Sequence, residues 1–170
     1  MAPDVRVLDE PPPGTRALLD RAFEGDFDDH DWDHGLGGRH VVVLDAGEVV
    51  AHAAVVGRTI WIDDRPLRAG YVEGVGVEPA RQGAGLGTAV MAAVTAIVRR
   101  DFELGVLGTG EWHFYERLGW VRWQGESWVR RADGRPERTP EDDDGIMVLA
   151  GMPVDLGADI ACEERPGDVW

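Results

Sequence analysis

Six residues, Gln82-Gly83-Ala84-Gly85-Leu86-Gly87, stand between an apolar run ending at Val77 and a helical pattern that begins at Leu86. Three glycines in so short a stretch cost backbone entropy, a cost that makes sense if a ligand approaches the main chain closely. Backbone N–H groups at such a turn, opening onto a helix N-terminus, form an anion site without a basic side chain. A tight strand-to-helix connection is the other reading. A Walker P-loop is excluded because the chain contains no Lys, and the dinucleotide fingerprint G-x-G-x-x-G fails on glycine spacing. Covalent catalysis has few candidates. Ser127 in "GESWV" lacks the second Gly of a nucleophile elbow, because Val129 stands there, and only Cys162 and scattered Thr remain. Asp29, Asp31 and Asp33 begin like a calcium loop, but His34 replaces the required Gly and His40 the closing Glu. His30 and His34 have zinc-ligand spacing without a third ligand. No metal is expected.

The elements that must position this turn fit one domain over residues 1–170, a length that can bury a real core. Turn signals at Asp45-Ala46-Gly47 and Asp63-Asp64-Arg65-Pro66 divide residues 39–77 into an antiparallel meander. A helix with Leu18, Leu19 and Ala22 on one side precedes it, followed by an acidic loop or short helix over 26–38. Leu86, Val90, Ala93 and Ile97 mark a helix over 86–100. A strand at "LGVLG", a helix around "EWHFYERLG", in which Phe114 is expected in the core, and two or three late strands complete a mixed α+β order.

All 17 basic residues are Arg, and the formal charge is −15. That balance argues against nucleic acid and anionic membranes, whose affinity rests on cationic side chains. It leaves solubility or a cationic ligand as its meaning. No uninterrupted apolar run of 18 residues, no signal-peptide pattern and a single cysteine give the expectation of a soluble cytoplasmic protein.

The Q-x-x-G-x-G at 82–87 resembles the acetyl-CoA signature of the GNAT superfamily of N-acetyltransferases, and "FYERLGW" at 114–120 resembles its second common element. The stretches "FEGDFDDHDWDHGLGG", "YVEGVGV", "RTPEDDDG" and "RPGDVW" further resemble the aminoglycoside 2′-N-acetyltransferases, so the likeness spans residues 22 to 170. It implies a GNAT fold, a mixed and mostly antiparallel central sheet flanked by helices. It also implies a homodimer that moves an acetyl group from acetyl-CoA to the 2′-amine of a polycationic aminoglycoside.

Carried onto this sequence, the resemblance implies that Val75, Gly76, Val77, Gln82, Gly83, Ala84, Gly85, Leu86 and Gly87 bind the donor. The Val75 amide would lie near the thioester carbonyl. Asp26, Glu73, Gly74, Gly108, Asp142, Asp143, Asp168 and the Trp170 carboxylate would meet the acceptor. An acidic pocket that attracts a polycation also holds its amine protonated, so a general base is needed. Glu73 is the candidate, directly or through water, with burial in an apolar strand raising its basicity and Gly74 marking a bulge. Tyr115 is the matching general acid for the leaving thiolate. Two alternatives stand beside this reading: the same fold acting on a polyamine or another amino sugar, and a non-catalytic acetyl-CoA or aminoglycoside binder.

Overall fold

The computed structural model describes residues 2–170, which form two compact units. The first comprises the chain up to Val56 together with Val72–Ile97; the second comprises Gly57–Tyr71 and Val98–Trp170. The long strands β3 (Glu48–Ile62) and β4 (Arg65–Val77) pass through both.

In the first unit, β1 (Asp4–Leu8) pairs antiparallel with β2 (Arg39–Asp45), and β2 pairs antiparallel with β3. The turn between β2 and β3 has φ of 50° at Ala46 and 83° at Gly47. Two positive φ values match the right-handed twist of the flanking strands. Every residue of β3 from Val49 to Val56 is buried, so this strand is covered on both faces. Helix α1 (Thr15–Ala22) lays Leu18 against Val42 and Val49. The acidic stretch forms α2 (Asp29–His34), started by a reciprocal cap in which Asp28 Oδ1 accepts from Asp31 N at 2.9 Å and Asp31 Oδ2 accepts from Asp28 N at 2.9 Å. Helix α3 (Leu86–Asp101) buries Leu86, Val90, Met91, Val94 and Ile97 in this unit, and its last turn, from Val98, belongs to the second.

In the second unit the strand order is β6-β9-β5-β4-β3-β10-β7-β8. Its further members are β5 (Leu104–Gly108), β6 (Val121–Arg122), β7 (Ser127–Arg130), β8 (Pro136–Arg138), β9 (Ile146–Ala150) and β10 (Ile160–Glu163). Two pairings are parallel, β4 with β5 and β10 with β7. The β3–β4 turn is made by Asp63 and Asp64, with φ of 46° and 62°. Asp accepts this left-handed geometry better than most side chains.

Five strands follow α4 (Trp112–Glu116), where the sequence suggests two or three. The difference lies in β6 and β8, pieces of two and three residues too short to carry a period of two. A second expectation is reversed: Phe114 is half-buried and Tyr115 is the buried ring of α4. The two rings meet edge to face, 4.8 Å between centroids. No helix among the described residues is long and apolar enough to cross a membrane.

Candidate functional site

The first unit carries the candidate donor-binding residues and the candidate base on one continuous stretch. From Val72, β4 presents Glu73, Gly74, Val75 and Val77 half-buried, with Gly76 buried among them. The chain then turns through Pro79–Arg81, and residues 82–85 are exposed before Leu86 dips into the core as the first residue of α3. Gly83 and Gly85 both have φ of 81°, a conformation that costs an L side chain about 1–2 kcal/mol per residue. The alternation bends the main chain so that exposed backbone leads into the helix start, where Gly85 O accepts from Ala89 N at 3.0 Å. The exposed turn therefore joins two fixed elements. Glu78 N donates to Val50 O at 2.9 Å, and Arg21 Nη2 meets Glu78 Oε2 at 2.7 Å.

Gly74 has φ of 57°. Its carbonyl accepts from Nδ1 of the buried His52 at 2.7 Å. Gly35, just past α2, stands against Glu73: a Cβ built there lies 3.9 Å from the Glu73 Cβ. Asp26 is exposed in the loop between Phe23 and the buried Phe27. The neighbouring acids are partly engaged within the fold. Asp28 and Asp31 cap α2, and Asp29 meets Arg16 at 3.1 Å.

The second unit carries Tyr115 and the acidic loop. Tyr115 is 8% exposed. Burial, reinforced by the Glu111 carboxylate, pushes its phenol pKa above the ordinary value, so the phenol stays protonated at neutral pH. Asp142 has its carboxyl pKa raised, first by burial and then by the negative charges of Glu141 and Asp168.

Asp143, in the same loop, is also engaged within the fold. Its Oδ1 accepts from Ser127 N at 2.8 Å, Ser127 Oγ at 2.7 Å and Arg138 Nη1 at 2.8 Å, while Oδ2 accepts from Arg138 Nη2 at 2.8 Å. Most of these bonds fall on Oδ1, and Oδ2 keeps a lone pair beyond its bond to Arg138. The forked Arg138 guanidinium beside it holds its carboxyl well below the usual range.

The C-terminal segment is strapped to this loop. Buried Arg58 donates from Nη1 to Val169 O and from Nη2 to Glu163 O, each at 2.8 Å, and Arg165 Nε donates to Asp168 O at 2.8 Å. Both guanidinium groups face the Tyr71 ring, 4.7 Å and 5.2 Å from its centroid. Trp170, 9% exposed, donates from Nε1 to Thr139 Oγ1 at 3.1 Å. The exposed Gly108 ends β5 beside it, and a Cβ built there lies 3.6 Å from the Trp170 carbonyl carbon. Gly108, Asp142, Asp168 and Trp170 are thus brought into one region of the second unit.

Sequence reasoning missed His52, Arg58, Arg138 and Thr139, took His40 only as a departure from a calcium loop, and weighed Ser127 only as a nucleophile. Ser127 is fully buried and serves as a hydrogen-bond junction, its Oγ within 2.7 Å of Thr139 O. The available signal was a polar residue inside an apolar strand run, as in "RHVVVL" and "EVVAHAAVV". Cys162 is buried, and burial pushes its thiol up to about 11, far from a reactive thiolate.

Comparison with known proteins agrees with this architecture. The model of the acetyltransferase (GNAT) domain family matches residues 11–122. The aminoglycoside 2′-N-acetyltransferase of Mycolicibacterium fortuitum is 46% identical over 164 residues, 92% of this chain and 84% of that one. Among solved structures, the GNAT family N-acetyltransferase YhbS of Escherichia coli, in complex with CoA, superposes with a TM-score of 0.67. It is 20% identical over 98% of this chain and 96% of its own. A GNAT family acetyltransferase of Brucella melitensis in complex with acetyl-CoA gives 0.63 at 20% identity, covering 94% and 96%. Of some longer solved structures that it also matches, GCN5-related N-acetyltransferases of Kribbella flavida and Anabaena variabilis among them, the chain spans about a third of the length. The chain folds as a GNAT acetyltransferase, belongs to that family, and groups within it with the aminoglycoside 2′-N-acetyltransferases.

Proposed function

We propose that this protein transfers the acetyl group of acetyl-CoA to the 2′-amino group of aminoglycosides. The observation that carries the reading is the 46% identity, over 92% of the chain, to an aminoglycoside 2′-N-acetyltransferase. The family model spans parts of both units, and we take the two as parts of one acetyltransferase domain over residues 1–170.

In this reading acetyl-CoA lies along Val75, Gly76 and Val77, and its pyrophosphate takes the amides of Gln82 to Gly87. The exposed backbone of residues 82–85 and its two left-handed glycines support that assignment. Asp26, Asp142, Asp143 and Asp168 draw in the polycation, while Glu73, Gly74, Gly108 and Trp170 contact its sugar rings. Asp143, with its oxygens bonded to Ser127 and Arg138, also holds the acidic loop in shape for the others.

The reaction is direct. The free 2′-amine attacks the thioester carbonyl carbon, a C–N bond forms, and the C–S bond breaks. The proton lost by the amine passes through water to the Glu73 carboxylate. The departing CoA thiolate takes a proton from the Tyr115 hydroxyl. A carboxylate base is required because the acids that bind the ammonium groups also raise the amine's pKa. Burial keeps Tyr115 protonated, which suits a donor that must not ionise before its turn.

By the same resemblance we propose a homodimer working in the cytoplasm, with antibiotic resistance as the biological outcome. Free-thiol release from acetyl-CoA tests the activity across aminoglycosides with an amino or a hydroxyl group at the 2′ position. Turnover confined to 2′-amino compounds is expected. Turnover that ignores the 2′ group overturns the regiochemistry, and turnover only with polyamines overturns the substrate.

A further inference from the structure

His40 and His52 lie on adjacent strands of the first unit, 1% and 2% exposed, outside every role assigned above. His40 Nδ1 stands 2.9 Å from His52 Nε2, and His52 Nδ1 stands 2.7 Å from Gly74 O. The two rings are tilted by 35° with centroids 5.3 Å apart.

The protons of this row follow from chemistry. A carbonyl oxygen only accepts, so His52 Nδ1 carries hydrogen. Burial pushes both imidazoles down, His52 to about 4, so both are neutral at physiological pH. A neutral imidazole with hydrogen on Nδ1 has a bare Nε2, which accepts, so His40 Nδ1 donates to it. His40 Nε2 is then bare as well, and it is a buried atom with no hydrogen-bond partner among the described residues. The opposite proton order would bury an unsatisfied N–H at that position, which costs more than a bare lone pair in the same apolar surroundings. One tautomer string therefore runs from His40 through His52 to Gly74.

Gly74 O and Val75 N belong to the same peptide unit. That unit is planar and trans, so its N–H points opposite to its C=O. A donor fixed on the carbonyl side sets the direction of the Val75 N–H on the other. It also polarises the amide and strengthens it as a donor. The left-handed φ of 57° at Gly74 makes this peptide one that would not hold its orientation by backbone preference in other residue types. His52 lies directly beneath it: a Cβ built on Gly74 would sit 3.5 Å from the imidazole Cε1 and 3.4 Å from Leu19 Cδ1.

We propose that His40 and His52 are positioning residues that lock the Gly74–Val75 peptide, so that the Val75 amide is aimed and polarised to stabilise the developing oxyanion. The proposal rests on the reading that Val75 faces the thioester. An oxyanion donor is worth about 10²- to 10³-fold in kcat when removed outright. Loosening one from behind costs less. His52→Leu removes the donor to Gly74, whereas His52→Asn places an amide N–H at the position of Nδ1.

The test is steady-state kinetics of the full chain with acetyl-CoA and a 2′-amino aminoglycoside, together with long-range ¹⁵N NMR of the imidazoles in the wild type. His52→Leu should lower kcat about tenfold to a hundredfold while both KM values stay within about threefold. His52→Asn should recover most of the loss. Val49→Ala, a core change in the same unit, should lower the melting temperature with kcat retained. An undiminished kcat in His52→Leu, or an Asn variant no better than Leu, overturns the relay while leaving acetyl transfer in place. The NMR readout needs no variant to fold. It should show hydrogen on Nδ1 of both rings, and hydrogen on Nε2 of His52 instead would overturn the relay. A wild type that acetylates no amine removes the acetyl-transfer reading, and the catalytic part of the relay with it.

Discussion

The indole Nε1 of Trp170 donates to Thr139 Oγ1 at 3.1 Å, and Thr139 Oγ1 in turn donates to Ser127 Oγ at 2.9 Å. Trp170 and Ser127 are thereby joined through the buried Thr139 hydroxyl. Replacing Thr139 by Val keeps the volume and orphans the buried indole N–H, at a cost of about 1–3 kcal/mol. We expect thermal unfolding to show that loss and the KM for aminoglycoside to rise, with the KM for acetyl-CoA steady. An unchanged acceptor KM would detach Trp170 from substrate binding.

The Asp143–Arg138 fork gives a pH dependence of definite sign. Asp143 has its folded pKa depressed, chiefly by the hydrogen bonds from Arg138. Its contribution is whole above the ordinary carboxylate pKa near 4 and fades as pH falls below it. Asp143→Asn should lose stability at pH 7 on the order of 1–3 kcal/mol, yet show a shallower decline between about pH 4 and pH 2. Urea melts of both proteins across that range would read the difference, and parallel curves would refute the assignment.

Tyr115→Phe should lower kcat at least about tenfold and leave acetyl-CoA affinity within error by calorimetry. Because burial raises the Tyr115 pKa, the wild type should show no alkaline loss attributable to this phenol below about pH 10. A collapse of affinity in the Phe variant would make the residue structural.

Glu73→Gln should lower kcat/KM most at low pH, where free amine is scarcest, and least at high pH, where the amine needs no base. A loss uniform across pH would reassign Glu73 to binding alone. A full rate at every pH would remove it from the reaction.

The acidic loop should make binding sensitive to salt. With Asp142 crowded by Glu141 and Asp168, raising ionic strength from about 0.01 to 0.15 M shortens the Debye length from about 30 to 8 Å, and the aminoglycoside KM should climb. A flat response would leave the charge of −15 as a solubility feature.

Which parts of this molecule could be read in the chain follows from how local their causes are. The β2–β3 and β3–β4 turns announce themselves in adjacent residues, Ala46-Gly47 and Asp63-Asp64, and α3 announces itself in its apolar stripe. The glycine turn was legible for the same reason. The late strands were not, because β6, β8 and β10 are two to four residues long and owe their state to distant partners, β10 pairing with both β3 and β7. Asp143 looked like one more acid in "EDDDG" because the fork from Arg138 and the Ser127 amide exists only after folding. The histidine row depends on the β2–β3 register, which places His40 opposite Ala54 and Val42 opposite His52.

The position of β10 has a consequence for biosynthesis. This strand comes late in the chain, yet in the strand order it lies between β3 and β7. During synthesis the β7–β8 hairpin emerges before the strand that links it to β3 in that order. Until Ile160–Glu163 clears the ribosome, the second-unit end of β3, Ile60 to Ile62, presents an unpaired apolar edge. At about 5–20 residues per second, the hundred or so residues between those segments leave that edge open for several seconds. The nascent chain is most vulnerable to mispairing in that interval, and chaperone dependence should be concentrated there.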